Sequence, residues 1–167
     1  IGKNTQSMFD ASGRVIGGNA TDQALVRFLG AEVLDHLEKT YTVTQAQGFN
    51  STNKFSQAHL RELDKTFYKG APEKFLAVSG KYLSLNGDIH VVDPDRLSAK
   101  IDELAGKSMR VLAFGYSDQG MTENQINSDT TLIGFFGIRD DVRPEAREAI
   151  AAVQNAGIQV VMITGDR

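Results

Sequence analysis

The sequence predicts an α+β fold: an antiparallel sheet flanked by helices, followed by a helix–strand piece of a Rossmann-like, doubly wound domain. Two observations predict the first part. Residues 55–60 and 65–68 read as a hairpin across Arg61-Glu62-Leu63-Asp64, and residues 109–116 and 131–138 are long β-branched or aromatic runs. A third observation predicts the second part. Residues 158–163 form a near-continuous apolar run after a helix, the pattern of a strand covered on both faces. The expected division is therefore 1–138 for the first domain, with its N-terminal portion lying outside the chain, and 139–167 for the start of the second.

Taken in order, residues 1–18 are polar and glycine-rich, with a turn at Asp10-Ala11-Ser12-Gly13. Asn19-Ala20-Thr21-Asp22 opens a helix, with Asn19 as N-cap and Asp22 in the first turn, where its charge suits the helix dipole. Ala24, Leu25, Phe28, Leu29 and Val33 recur at three-to-four spacing and predict its buried face. A second helix is expected over 31–39 and a strand over 40–45. Gly48-Phe49-Asn50-Ser51-Thr52-Asn53-Lys54 is a polar turn around one aromatic. After the hairpin, Pro72 suits the first turn of a helix through 73–78, because a missing N–H costs nothing there. Residues 80–88 read as a loop, and Asp93-Pro94-Asp95 precedes a helix through Leu104. Residues 144–155 form the last helix, with Ala146, Ile150 and Val153 on one face and Gly157 as its C-cap.

Composition narrows the function. The 167 residues suffice for one sizeable core, and a net charge of -3 argues against a general nucleic-acid binder. The chain has no cysteine, which excludes disulfides, thiol catalysis and cysteine metal sites. The longest uncharged run, 149–165, contains Gln154, Asn155, Gly157 and Gln159, so no membrane span is expected. The three histidines, His36, His59 and His90, lack an i,i+4 partner, and no metal site is expected. Neither GxxxxGK[ST], GxGxxG nor Gly-x-Ser-x-Gly occurs.

Four segments carry chemistry. Lys69-Gly70 places a mobile cation beside a bare backbone at a strand tip, which suits a bound anion. Asp22 offers an acceptor carboxylate at a helix start, Phe49 and Lys54 an aromatic face with a cation, and Asp140-Asp141-Val142-Arg143 an arginine before a helix. Each has a plainer role alone: a helix cap, a core aromatic, a solvated lysine, an arginine paired with Asp140. Together they suit a purine nucleotide, with a stack for the base, a carboxylate for the exocyclic amine and cations for the phosphates.

On these segments the chain resembles a P-type cation-transporting ATPase, over nearly its whole length. Lys69-Gly70-Ala71-Pro72-Glu73 is similar to the family's KGAPE segment, and Val161-Met162-Ile163-Thr164-Gly165-Asp166 to its MITGD segment. The 48–54 turn resembles the FxSxxK adenine-pocket turn. Asn19-Ala20-Thr21-Asp22-Gln23-Ala24-Leu25 resembles the xATExAL helix start, with Asp22 in place of glutamate. The calcium-pump branch is the most similar, while sodium/potassium, proton and magnesium branches stay open. The resemblance implies a nucleotide-binding domain that presents ATP to an aspartate phosphorylated in the adjacent domain. It implies that Phe49 stacks on adenine, Asp22 holds the base edge, Lys54, Lys69 and Gly70 line the pocket, and Arg143 reaches the phosphates. Thr164, Gly165 and Asp166 would belong to the phosphoryl-transfer site. ATP and Mg2+ are the implied cofactors, and the phosphorylation and actuator domains of the parent chain the implied partners. The implied location is the cytoplasmic side of an integral membrane protein, without membrane contact by these residues.

The sequence contains neither Asp-Lys-Thr-Gly-Thr nor Gly-Asp-Gly-x-Asn-Asp, which are expected before Ile1 and after Arg167. The chain is therefore expected to bind nucleotide without transferring phosphate, since transfer needs acceptor, metal and in-line positioning together. Two other readings share parts of the pattern: a fragment of a soluble haloacid-dehalogenase-like phosphatase, and a regulatory module that has lost nucleotide binding.

Overall fold

Polar turns and alternating strands build a large sheet with helices packed on both of its faces. The computed structural model describes residues 1–139 and 144–163. At its start, β1 (Ser7–Phe9) and β2 (Val15–Gly17) pair antiparallel. Asp10 closes their turn, and hydrogen bonds from the Ser12 hydroxyl and the Arg14 amide hold its carboxyl below the ordinary carboxylate range. Helix α1 (Ala20–Leu29) starts as expected: the Asn19 Oδ1 accepts from the Asp22 amide at 2.9 Å. Gly30, at φ +79°, turns the chain into α2 (Ala31–Thr40). Leu25, Val26 and Leu34 are buried, but Phe28 is exposed and meets Phe136 edge to face, with ring centroids 4.8 Å apart. Val33 lies in α2 and is also exposed. The predicted face was thus too wide, because Gly30 breaks the periodicity that joined the two helices.

The sheet follows from β3 (Val43–Gln47), β4 (Phe55–Leu60) and β5 (Lys65–Gly70), the last two joined by the expected hairpin. A five-residue α3 (Pro72–Leu76) carries Pro72 in its first turn. Next come β6 (Lys81–Leu83), β7 (Ile89–Val91), α4 (Pro94–Ala105), β8 (Arg110–Ser117) and β9 (Thr131–Ile138). The strand order is β3-β4-β5-β8-β9-β6-β7. All neighbours run antiparallel except β6 and β9, which are parallel, so the sheet is mixed rather than purely antiparallel. The residues read as a loop over 80–88 hold β6 and the turn to β7. Three-residue strands show no period in sequence, and β6 is held by pairing Lys81 with Thr131 and Tyr82 with Leu132.

Strand alternation sends side chains to opposite faces, and the two faces differ. One face packs Phe55, Tyr68, Ala113 and Leu132 around Phe75 of α3, with Leu97 of α4 beside them. Burial raises the Tyr68 phenol above its ordinary pKa, and its oxygen accepts from the Asn127 amide. Gly115 makes room for this core: a Cβ there would stand 3.1 Å from Phe75 Cε1 and 2.8 Å from Thr130 Cγ2. The other face carries Ser56, Lys69, Phe114 and Phe136 toward α1.

Helix α5 (Pro144–Asn155) ends as expected, with Gly157 at φ +77° and the Ile158 amide donating to the Val153 carbonyl at 3.2 Å. Its Ile150 and Val153 are exposed. Residues 158–163 are not the buried strand predicted for them: they form no regular element, and Met162 and Ile163 are 86% and 94% exposed. An apolar run becomes a strand only beside a partner, and none pairs with it among the described residues.

Truncating the best-buried aromatic tests this core. Phe75→Ala is expected to lower stability by about 3–5 kcal/mol. The measurement is a urea unfolding midpoint, with the slope unchanged. A loss below about 1 kcal/mol would mean that this face is not the principal core.

Candidate functional site

Strand β5 ends in the residues singled out in sequence, and the sheet fixes where they point. Lys69 pairs with Ser56 on β4 and with Phe114 on β8, so it stands on the α1 face of the sheet. Its ammonium is buried, donating to the Asn4 carbonyl at 2.7 Å and forming an ion pair with Asp22 Oδ1. Asp22 is likewise buried, held in the first turn of α1 by the Asn19 cap. Two residues distant in sequence thus meet as a charge pair between helix and sheet.

Around this pair lies a pocket of about 710 Å³. Asp22, Phe49, Lys69 and Gly70 all line it. Phe49 extends from the turn after β3 and is 56% exposed, a flat apolar face open to a ligand. Gly70 lines the pocket, but its missing side chain answers a nearer need. A Cβ there would come within 2.5 Å of the Lys54 carbonyl oxygen and of Phe55 Cβ, so β4 itself demands glycine.

Lys54 is not among the lining residues. It sits at φ +60° and its ammonium lies 3.2 Å from Glu73 Oε1, both side chains about half exposed. Arg143, Thr164, Gly165 and Asp166 lie outside the described residues, as does the stretch 140–143 that contains Arg143.

Of the lining residues outside the sequence reading, one carries a strong donor set. Arg110 opens β8, and its guanidinium donates to Thr21 Oγ1 at 3.2 Å, on the α1 helix start that also carries Asp22. A lone arginine before an apolar run carries no local signature. Only the register of β8 against β5 brings it to the pocket that Lys69 already occupies. The assembled chemistry is one carboxylate, three cations (Lys3, itself paired with Glu38, Lys69 and Arg110), an aromatic face and the open end of a strand. Such a set can stack a planar heterocycle, accept from its amino group and bind phosphate oxygens.

Comparison with known proteins gives the family. Residues 4–145 match the family described as P-type ATPase, cytoplasmic domain N. The chain is 34% identical over 166 residues to calcium-transporting ATPase 7, plasma membrane-type, of Oryza sativa subsp. japonica, covering 90% of this chain and 16% of the relative. It is 34% identical over 175 residues to plasma membrane calcium-transporting ATPase 1 of Mus musculus, covering 89% and 14%. Against plasma membrane calcium-transporting ATPase 1 of Homo sapiens it is 35% identical over 145 residues, covering 78% and 11%. The chain therefore spans less than a fifth of the length of these relatives.

The charge pair makes a direct test of the pocket floor. Asp22→Ala leaves the Lys69 ammonium buried without its counter-charge and is expected to cost about 3–5 kcal/mol. The double variant Asp22→Ala/Lys69→Met removes both charges and is expected to recover most of that loss. Urea unfolding of the two proteins compares them. A double variant no more stable than the single one would show that the ion pair does not hold this interface.

Proposed function

The chain belongs to the P-type ATPase cytoplasmic domain N family, and on that premise we propose that its pocket binds ATP for a calcium-transporting pump. The observation that carries the reading is the meeting of Asp22, Phe49, Lys69 and Arg110 around one cavity of about 710 Å³. Phe49 stacks on the adenine, and Asp22 accepts from its exocyclic amine. Lys69, its charge balanced by Asp22, lines the floor, and Arg110 supplies positive charge for the rest of the nucleotide, suited to bidentate contact with a phosphate. Lys54 joins only by leaving Glu73, an exposed pairing that is weak in water.

In this reading ATP is presented to an aspartate phosphorylated in the adjacent domain, and this chain binds without turnover. Arg143, Thr164, Gly165 and Asp166 would meet the phosphates when the domains close. The division at 138/139 belongs to the same proposal. It accounts for the apolar residues exposed on α5 and over 158–163, which a neighbouring sheet would cover. The residues of the pocket do not suit a resident magnesium ion. Among the described residues no three His, Cys, Asp or Glu side chains gather, and Asp22 is already paired with Lys69. Magnesium therefore arrives with the phosphates or is held elsewhere in the parent. No helix among the described residues is long and apolar enough to cross a membrane. Placement on the cytoplasmic side of a membrane pump is part of the proposal.

Two-dimensional NMR with added ATP tests it. Binding is expected to be weak, with a Kd on the order of 1 mM, since few contacts offset the ordering cost. Saturable shifts are expected at Phe49, Gly70 and Arg110, with Phe49→Ala weakening binding by about tenfold, as loss of a base–aromatic stack does. Shifts that scatter over the surface, or equal affinity in Phe49→Ala, would contradict the assignment.

A further inference from the structure

Phe49 sits on the turn 48–53, and more than half of its surface is open, so core packing does not set its orientation. Something else must hold the turn. Its two flanking residues, Gln47 and Asn53, both donate to a single acceptor, the side-chain oxygen of Asn124, at 2.7 and 2.6 Å. Asn124 belongs to the long loop between β8 and β9, far away in sequence.

The grip is reciprocal. The Asn124 amide donates to Gln47 Oε1 at 2.9 Å, which also accepts from Nε2 of the fully buried Gln57 at 2.7 Å. Gln57 donates in addition to the Thr122 carbonyl at 2.8 Å, anchoring the same loop to the sheet. Within the turn, Asn50 accepts from the Asn53 and Lys54 amides at 2.7 and 2.8 Å. Asn124 itself stands at φ +58°, a conformation that asparagine adopts more readily than most residues.

We propose that Asn124 is a positioning residue that clasps both ends of the 48–53 turn and so orients Phe49 for the base of the nucleotide. The proposal rests on the nucleotide reading of the pocket. Asn124 does not line the pocket and touches no ligand in this scheme; it acts through Gln47 and Asn53. With the clasp closed, the stacking face is ordered before the ligand arrives. With it open, that ordering is charged against binding.

Two substitutions separate the acceptor from the backbone conformation. Asn124→Gly keeps the left-handed backbone and loses the acceptor; Asn124→Asp keeps an acceptor and tolerates the backbone. In the 167-residue chain, ligand-free hydrogen exchange of the Asn53 and Lys54 amides is measured, together with ATP affinity by NMR. Asn124→Gly is expected to speed exchange at these amides, leave β4 and β5 unchanged, and weaken ATP about three- to tenfold, as loss of a hydrogen bond does. Asn124→Asp is expected to behave as the wild type in both respects. Unchanged protection of the turn in Asn124→Gly overturns the clasp whatever ATP does. Loss of affinity in Asn124→Asp equal to that in Asn124→Gly also overturns it. An absence of ATP shifts in the wild type, or full affinity in Phe49→Ala, overturns the nucleotide reading instead, and with it the role of the clasp in binding.

Discussion

The buried pair between Lys69 and Asp22 constrains everything around it. Both charges are placed by backbone elements: Lys69 by a strand bonded on both sides, Asp22 by the capped first turn of α1. Neither can retreat to water without unpicking a ladder or a helix start. The pocket lies beside this pair, which forms part of its lining. Breaking such a pair is costly even where forming it adds little, so the arrangement specifies one geometry more than it adds stability.

The sheet separates two tasks by alternation. One face packs the apolar core around Phe75; the other presents Ser56, Lys69 and Phe114 to α1. Neighbouring residues of β5 therefore serve different ends. Tyr68 is a buried core residue and Lys69 a buried cation, and a slip of one residue would exchange them. Gly70 illustrates how closely stability and site are joined. It lines the pocket, where the sequence places a glycine that lets a ligand approach, and the atoms crowding its absent Cβ belong to Lys54 and Phe55 of the chain itself.

Local chemistry was legible wherever it acted over a few residues. Asn19 as a cap, the hairpin across 61–64, Pro72 in a first turn and Gly157 as a C-cap each depend on neighbours in sequence, and each is found. The misreadings share one cause. β6 exists because β9 is beside it, residues 158–163 remain irregular because no strand among the described residues pairs with them, and Phe28 is exposed although it lies on α1 with Leu25. The site divides the same way. Asp22, Phe49, Lys69 and Gly70 were found as residue types in recognisable segments, whereas Arg110 and the turn-holding Asn124 have no local signature.

By itself the sequence determined the family, the positions of most helices and hairpins, and four residues of the pocket, because caps, turns and short motifs act over single turns of chain. Only the tertiary structure decided that Asp22 and Lys69 neutralise one another, that Lys54 faces Glu73, and that Arg110 joins the pocket. Those outcomes depend on strand register and on which charges are buried together. Register is set by pairing between segments far apart in the chain, and the strength of a charge pair by the water excluded around it.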